Sequence, residues 1–269
     1  MQARASSRFN EEGLSRLRNN LVDWRVPAEL VDELIERRVE ASFAKGALLF
    51  SEGSSADLFA CLLSGYVKVY CPIGDGGRTL MRLAGPGDVV GYADFIDERG
   101  RRARLFEGQA LSKCSVALLT RDHVARLLRV MDANALLELM YSLNTFWSQN
   151  TRWFATLMGL SFWRRLEVVL TDLAARFGAS DMRGILLIPE LCHEDLAEMI
   201  GSSRPMVSRL IRLMMDHQLI ARCGKQYLLL EKWTFDQSQK PVGHVSGPRH
   251  LFESVQPICK RLYAAASRL

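Results

Sequence analysis

The sequence predicts an α+β fold with an N-terminal β-roll, a long central helix and a C-terminal winged helix. Three features carry that prediction. Between residues 46 and 119, short apolar runs are separated by glycine turns, the pattern of a small sandwich or barrel. Between residues 132 and 160, apolar residues recur at alternating spacings of four and three, the mark of a long helix with one seam. Residues 192–217 read as two helices joined by a tight turn, and a strand–turn–strand follows them.

The chain opens on a polar stretch, with a helix expected around Glu11–Asn20. Pro27 begins a second, in which Leu30, Leu34 and Ile35 recur at helical spacing through Arg38. These helices make up residues 1–39. After Lys45-Gly46 the period changes. Leu48–Phe50, Leu58–Leu63, Tyr66–Tyr70 and Leu80–Leu83 read as strands, set apart by Glu52-Gly53, Ser64-Gly65, Gly74–Gly77 and Gly85–Asp88. A further strand pair is expected at Arg102–Leu111 and Ser115–Leu119, after which Thr120 caps a helix through Val130. Residues 40–131 are read as one domain on this pattern.

Residues 132–160 form the next unit. Leu136, Met140, Leu143, Trp147, Asn150, Phe154 and Leu157 make a heptad seam over about three heptads. Such a seam serves either the chain's own core or a second copy. Asn150 favours a homodimer, because one buried polar residue fixes register and partner number. Trp147, Trp153 and Phe154 read first as packing, with stacking on a planar ligand as the alternative. Gly159-Leu160-Ser161 breaks the helix and is a natural hinge. Ser161 caps a new helix that presents Trp163, Leu166, Val169, Leu170 and Leu173 on one face and runs to Phe177. Gly178 closes it, and a strand at Ile185–Ile188 follows.

The helix pair comes next. The first helix runs from about His193 to Ile200, with Leu196, Ala197 and Ile200 on one face, and stops at Gly201, where a left-handed backbone carries no Cβ penalty. Ser203 is expected to cap the second by accepting a backbone N–H, and Pro205 is tolerated in the first turn because no donor is lost there. Val207, Leu210, Ile211 and Met214 form its apolar stripe, leaving Arg204, Ser208, Arg209 and Arg212 on other faces. This is the pattern of a helix-turn-helix reader whose second helix enters the major groove of double-stranded DNA. A guanidinium suits guanine O6 and N7 or a phosphate. An ordinary pair of packed helices would show the same spacing, but Leu219-Ile220, a turn at Ala221–Gln226 and Tyr227–Leu230 read as strand, turn and strand, which add a wing. Residues 161–233 are read as this domain.

The stretch LCHEDLAEMIGSSRPMVSRLIRLMMDHQLIARCGKQYLLL resembles the C-terminal domain of the Crp/Fnr family of bacterial transcription regulators. The element S-R-x-x-V-S-R-L, followed by L-I and G-K, is the specific part. The resemblance implies a sensory β-roll, a dimerisation helix and a winged helix in that order, acting as a homodimer on a two-fold symmetric DNA site. On it, the DNA-binding residues are Ser202, Ser203, Arg204, Met206, Ser208, Arg209, Arg212 and Lys225. The dimer contacts are Leu136, Met140, Leu143, Trp147, Asn150, Phe154 and Leu157. RNA polymerase is a further partner where such a protein activates. Two departures stand out. Pro205 occupies a position where many members place a glutamate that reads cytosine, and Cys192 replaces the usual Ser or Thr cap.

The region before it resembles the family's cyclic-nucleotide-binding roll in outline, through G-x-L-x-F-x-E-G at Gly46–Gly53, LSGYVKVY and GPGDVVGYADF. Members that bind cyclic AMP have Gly-Glu after G-D-x-x and Arg-Ser before the next strand. Here Gly91 is followed by Tyr92, and Arg104 by Leu105. The effector-binding residues carried over are Gly91, Tyr92 and Arg104, with Asn150 and Thr151 from the dimer helix. Without the carboxylate, an ordinary cyclic AMP site is not expected; a different small-molecule effector in the same cavity, or a roll that has lost its ligand, is. No cofactor is identified.

A net charge of +5 suits a polyanionic partner without proving one. Residues 1–20 are polar and no stretch approaches the ~20 apolar residues of a membrane span, so a cytoplasmic protein without membrane contact is expected. The six cysteines, at 61, 71, 114, 192, 223 and 259, form no C-x-x-C pair and read as reduced thiols. Two rival readings stay open: a redox or haem sensor using Cys71 or Cys114 on the same scaffold, and a cyclic-nucleotide-responsive scaffold without specific DNA binding. No nucleophile–base pair, phosphate loop or metal-ligand cluster points to an enzyme. Residues 234–269 read as a polar linker and an amphipathic helical extension.

Overall fold

The computed structural model describes residues 2–23, 26, 28–74, 77–91 and 103–233; the expectations for Tyr92 and for 234–269 lie outside them. Two helices open the chain, α1 (Gln2–Asp23) and α2 (Ala28–Glu36). The first begins well before the expected Glu11. Leu17, Leu21, Val31 and Leu34 from these helices pack on Phe59, Cys61, Leu63 and Leu119 of the roll. The approach is close at Gly13, where a Cβ would lie 2.0 Å from the Leu63 carbonyl oxygen.

The roll comprises β1 (Val39–Phe43), β2 (Leu48–Phe50), β3 (Leu58–Ser64), β4 (Val67–Ile73), β5 (Gly77–Ala84), β6 (Val89–Val90), β7 (Glu107–Ala110) and β8 (Cys114–Thr120). They form two antiparallel four-stranded sheets, in the orders β1-β8-β3-β6 and β2-β7-β4-β5. Ala60, Leu62, Val67, Ala84, Val90, Ala110 and Val116 fill the space between them. Two of these strands were not anticipated. β1 is a half-exposed edge strand starting three residues after a helix, and β6 is two residues long, so neither presents a full alternating run.

Helix α3 (Arg121–Val130) follows, capped as expected: the His123 amide donates to Thr120 Oγ1 at 3.2 Å. Asp132 caps α4 (Ala133–Met158) by accepting from the Ala135 amide at 2.8 Å. At 1.5 Å per residue α4 is about 39 Å long. Its seam is divided. Met140 and Trp147 are exposed in the protomer, Leu136, Leu143, Asn150 and Phe154 are half-buried, and Leu157 is buried inside it with Trp153. Leu157 is therefore closed to a partner helix, contrary to the expectation that placed it in the dimer contact.

After the Gly159 break come α5 (Phe162–Phe177), β9 (Gly178–Asp181), β10 (Gly184–Leu187), α6 (His193–Ile200), α7 (Arg204–Asp216), β11 (Ile220–Cys223) and β12 (Gln226–Leu230). The four strands make one antiparallel sheet, β11-β12-β10-β9, with β9 an addition to the sequence reading. Leu166, Leu170, Leu196, Ile200, Val207, Met214 and Tyr227 form the core of this domain. Leu83 and Leu111 of the roll belong to the same apolar cluster, so the two domains share a buried surface.

Candidate nucleic-acid interface and effector cavity

Helix α6 begins at Cys192 with no hydroxyl to cap it. Asp195 at the third helical position makes the return half of a capping box: its Oδ2 accepts the Cys192 N–H at 2.8 Å, and the half that a hydroxyl would make falls to the Cys192 sulfur. The helix ends at Gly201, whose φ of +63° is the expected left-handed stop. Arg165 secures that end, donating from Nη1 to the Ile200 carbonyl at 3.1 Å and from Nη2 to Met158 O at 3.2 Å. One guanidinium thus serves the C-termini of α4 and α6 together.

Ser203 occupies the cap position of α7 with extended backbone, and Pro205 follows in the first turn. The expected side-chain cap bond is not made, and Ser203 is exposed. Val207, Leu210, Ile211 and Met214 are buried, which fixes the opposite surface of α7 as its outer face. Arg204, Arg209 and Arg212 are exposed, and Ser202 is half-buried. Met206 is half-buried and packs on the domain core.

Ser208 is engaged inside the reader. Its hydroxyl donates to the Arg204 carbonyl at 3.0 Å, and His193 Nδ1 lies 2.7 Å from the same oxygen. A hydroxyl has one hydrogen, so His193 carries its proton on Nδ1 and donates to Ser208 Oγ. The Ser208 hydroxyl, carried over as a DNA-binding group, is thus engaged inside the reader in the free protein. Burial, with Arg222 and Arg204 nearby, holds His193 below the usual histidine range, in keeping with a neutral ring. Neither His193 nor Arg222 stood out in the sequence, since a lone His or Arg carries no motif.

Beside α7, Gly224 turns the β11–β12 hairpin at φ +61° and Lys225 projects from it, 81% exposed, with its Nζ 3.9 Å from Glu190. Arg222 lies over the Tyr227 ring at 3.9 Å and donates to Lys225 O at 2.8 Å, stiffening the wing. Across the turn, Arg204 Nε is 3.3 Å from Glu194. That pair is exposed and therefore weak. Arg204, Arg209, Arg212, Arg222 and Lys225 thus concentrate positive charge on the helix and hairpin that a winged helix sets against DNA.

The roll encloses a cavity of about 370 Å³, lined by Phe43, Leu49, Phe50 and Leu58, by Ser51, Ser54 and Ser55, and by Arg104. Gly91 and Arg104 come together: φ at Gly91 is +82°, a Cβ there would lie 2.3 Å from Arg104 Nη1, and Nη1 donates to Gly91 O at 2.8 Å. Arg104 Nη2 also donates to Leu58 O, and its guanidinium lies 4.7 Å from the Phe50 ring centre. Asn150 and Thr151 are not in the described wall of this cavity. Thr151 donates back along α4 to Trp147 O at 3.0 Å.

The thiols of the redox reading are held protonated. Burial pushes Cys114 up to about 11, and burial with Glu52 raises Cys71, the opposite of a reactive thiolate. Among the described residues no group of three or more His, Cys, Asp or Glu is placed to hold a metal ion, and no helix is long and apolar enough to cross a membrane.

Two family models match the chain: the cyclic nucleotide-binding domain over residues 40–130 and the Crp-like helix-turn-helix domain over residues 164–233. A CRP-like cAMP-activated global transcriptional regulator of Mycobacterium tuberculosis is 24% identical over 205 residues, 76% of this chain and 89% of that one. The nitrogen fixation regulation protein FixK of Azorhizobium caulinodans is 25% identical over 206 residues, 76% of this chain and 79% of its own. Among solved structures, the c-di-GMP responsive global regulator CLP of Xanthomonas campestris superposes with a TM-score of 0.62 at 20% identity, covering 76% of this chain and 99% of that one.

Proposed function

We propose, for a chain that belongs to the Crp/Fnr family and is a sequence-specific DNA-binding transcription regulator, a homodimer in the cytoplasm that reads a two-fold symmetric site and answers to a ligand other than cyclic AMP. The observation that carries DNA reading is the outer face of α7, where Arg204, Arg209 and Arg212 stand exposed beside Lys225 of the wing. Arg204 and Arg209 serve base edges or phosphate near the helix N-terminus, and Arg212 serves phosphate. The exposed Met140, Tyr141 and Trp147 on α4 support a second copy along the upper seam. Two such readers must match half-sites ~34 Å apart. RNA polymerase is the further partner if the dimer activates.

The effector reading rests on the roll. A cyclic phosphate needs a guanidinium turned toward it. Here Arg104 donates to two main-chain carbonyls, and the cavity wall around it is chiefly aromatic and aliphatic. That favours a smaller or more apolar ligand than a nucleotide. Selection from a random duplex pool, without and with a mixture of cyclic nucleotides, tests both parts. A symmetric site enriched without nucleotide is expected. A site enriched only with nucleotide would restore the cyclic-nucleotide reading, and no enriched site under either condition would support the scaffold reading.

A further inference from the structure

The roll and the reader are joined by buried polar contacts at two points. Lys68 and Tyr70 lie two residues apart on β4 and so share one face of the sheet. Asp195 and Glu198 lie three apart on α6 and share one face of the helix. These faces meet. Lys68 Nζ is 2.8 Å from Asp195 Oδ1 and 3.4 Å from Glu198 Oε2, and the Tyr70 hydroxyl donates to Glu198 Oε2 at 2.7 Å. The side chains of Lys68 and Asp195 are only 12% and 7% exposed. Burial opposes the Lys68 charge, and the Asp195 and Tyr70 contacts together outweigh it and hold the ammonium above the usual lysine range. The second point lies on α5. Arg176 donates to Leu83 O at 2.9 Å and its Nη2 is 3.2 Å from Asp88 Oδ2, with Tyr66 edge-on to Phe177 beside it.

One contact would leave the reader free to swivel about the break at Gly159–Ser161; two contacts stop that rotation. The Lys68 contact also falls on a carboxylate with a second task, since Asp195 Oδ2 caps α6 while Oδ1 takes the ammonium. From α6 the hold passes to α7 through the shared apolar core of Leu196, Ile200, Val207 and Ile211 and through His193–Ser208. Among the described residues nothing covers the outer face of α7, so these contacts aim the reader without masking it.

We propose that Lys68 and Tyr70, although they belong to the sensor roll, are positioning residues for DNA recognition, clamping α6 so that each recognition helix is held at a fixed angle within its own protomer. The inference rests on the DNA-reading function proposed above. The test uses the full chain with Lys68→Met and Tyr70→Phe together, which keep the side-chain shapes and remove the polar contacts. Spin labels are placed at the exposed Lys45 and Asp216 through an encoded unnatural amino acid, and affinity is measured for the site selected by the wild type. The expected result is a broadened roll-to-reader distance distribution in the free protein and a loss of DNA affinity on the order of ten-fold, because pre-organisation is lost. Tyr70→Phe alone should shift both readouts less, in the same direction, and Lys68→Arg should recover most of the loss. An unchanged distance distribution overturns the clamp. A broadened distribution with equal or tighter DNA binding overturns the positioning role. A wild type that selects no duplex overturns the DNA-reading function and the positioning role with it. That failure is distinct from a failed clamp, because the distance measurement needs no DNA.

Discussion

Asp172→Asn should make this protein more stable at neutral pH. Asp172 is buried on α5, with Arg176 Nη1 at 3.6 Å, and the same guanidinium also faces Asp88. One cation between two buried carboxylates leaves a net negative charge in an apolar setting. Burial first, and then the Asp88 charge, outweigh the pull of Arg176 and push Asp172 from the usual 3.8 up to about 6. At about 1.4 kcal/mol per pH unit, ionised Asp172 is disfavoured by about 3 kcal/mol in the fold relative to the unfolded chain. The folded protein therefore binds more protons between 3.8 and about 6, so wild-type stability falls as pH rises through that window and levels off above it. An amide matches the protonated acid in shape but cannot ionise. The variant should differ little only below pH 3.8, show about half of the effect by pH 5, and gain roughly 1–3 kcal/mol above pH 7, the lower figure allowing for the lost attraction to Arg176. Urea unfolding of both proteins from pH 5 to 8 measures this. A variant equal to or weaker than wild type at pH 8, or a difference that does not vary with pH, would refute the reasoning.

Two further outcomes follow from the reader. Arg209→Ala should lower DNA affinity by about 1–3 kcal/mol and relax preference at one base position, whereas Arg212→Ala should weaken all sequences alike and reduce the salt slope by about one; equal effects from the two in competition binding across a salt series would contradict this division. Gly184→Ala should destabilise the winged domain by about 3 kcal/mol or more, because φ is +148° and a Cβ would lie 1.9 Å from the Leu229 carbonyl oxygen. Thermal unfolding followed by circular dichroism would show a lowered transition, and an unchanged one would mean that the strand shifts to make room.

Much of the reader was legible because its determinants are local. The Gly201 stop, the Val207–Met214 stripe and the Gly224 hairpin each follow from residue type and spacing within a few positions. Thr120 was legible as a cap for the same reason. What the sequence hid depends on distant partners. Leu157 continues the α4 seam in spacing, but tertiary packing turns it into the chain's own core with Leu83 of the roll. Ser208 looks like any exposed recognition-helix serine until His193, fifteen residues earlier, is seen against it. Ser203 has the right residue type and backbone for a cap but makes no side-chain bond, since a cap position permits that bond without requiring it. Cys192 reads as a weak cap, and the sequence did not show that Asp195 completes the capping box by accepting the Cys192 N–H.

The organisation around α6 shows why these distant contacts matter together. The helix has only eight residues, and three of its aspects are committed to different neighbours. Leu196, Ala197 and Ile200 are buried in the domain core, Asp195 and Glu198 face β4 of the roll, and His193 with Glu194 contact α7. A helix held on three sides cannot rotate about its axis without breaking one set of contacts. Of the three, the core contacts are apolar and share their cluster with Leu83 and Leu111 of the roll, while the polar contacts tie α6 to β4 through directional bonds. Any rearrangement of β4 must therefore either break the Lys68 and Tyr70 bonds or carry α6 with it, and α7 moves with α6. Close packing makes such a displacement discrete. In a dimer whose two readers must keep half-site spacing, a small change of angle in each protomer would be enough to alter DNA affinity.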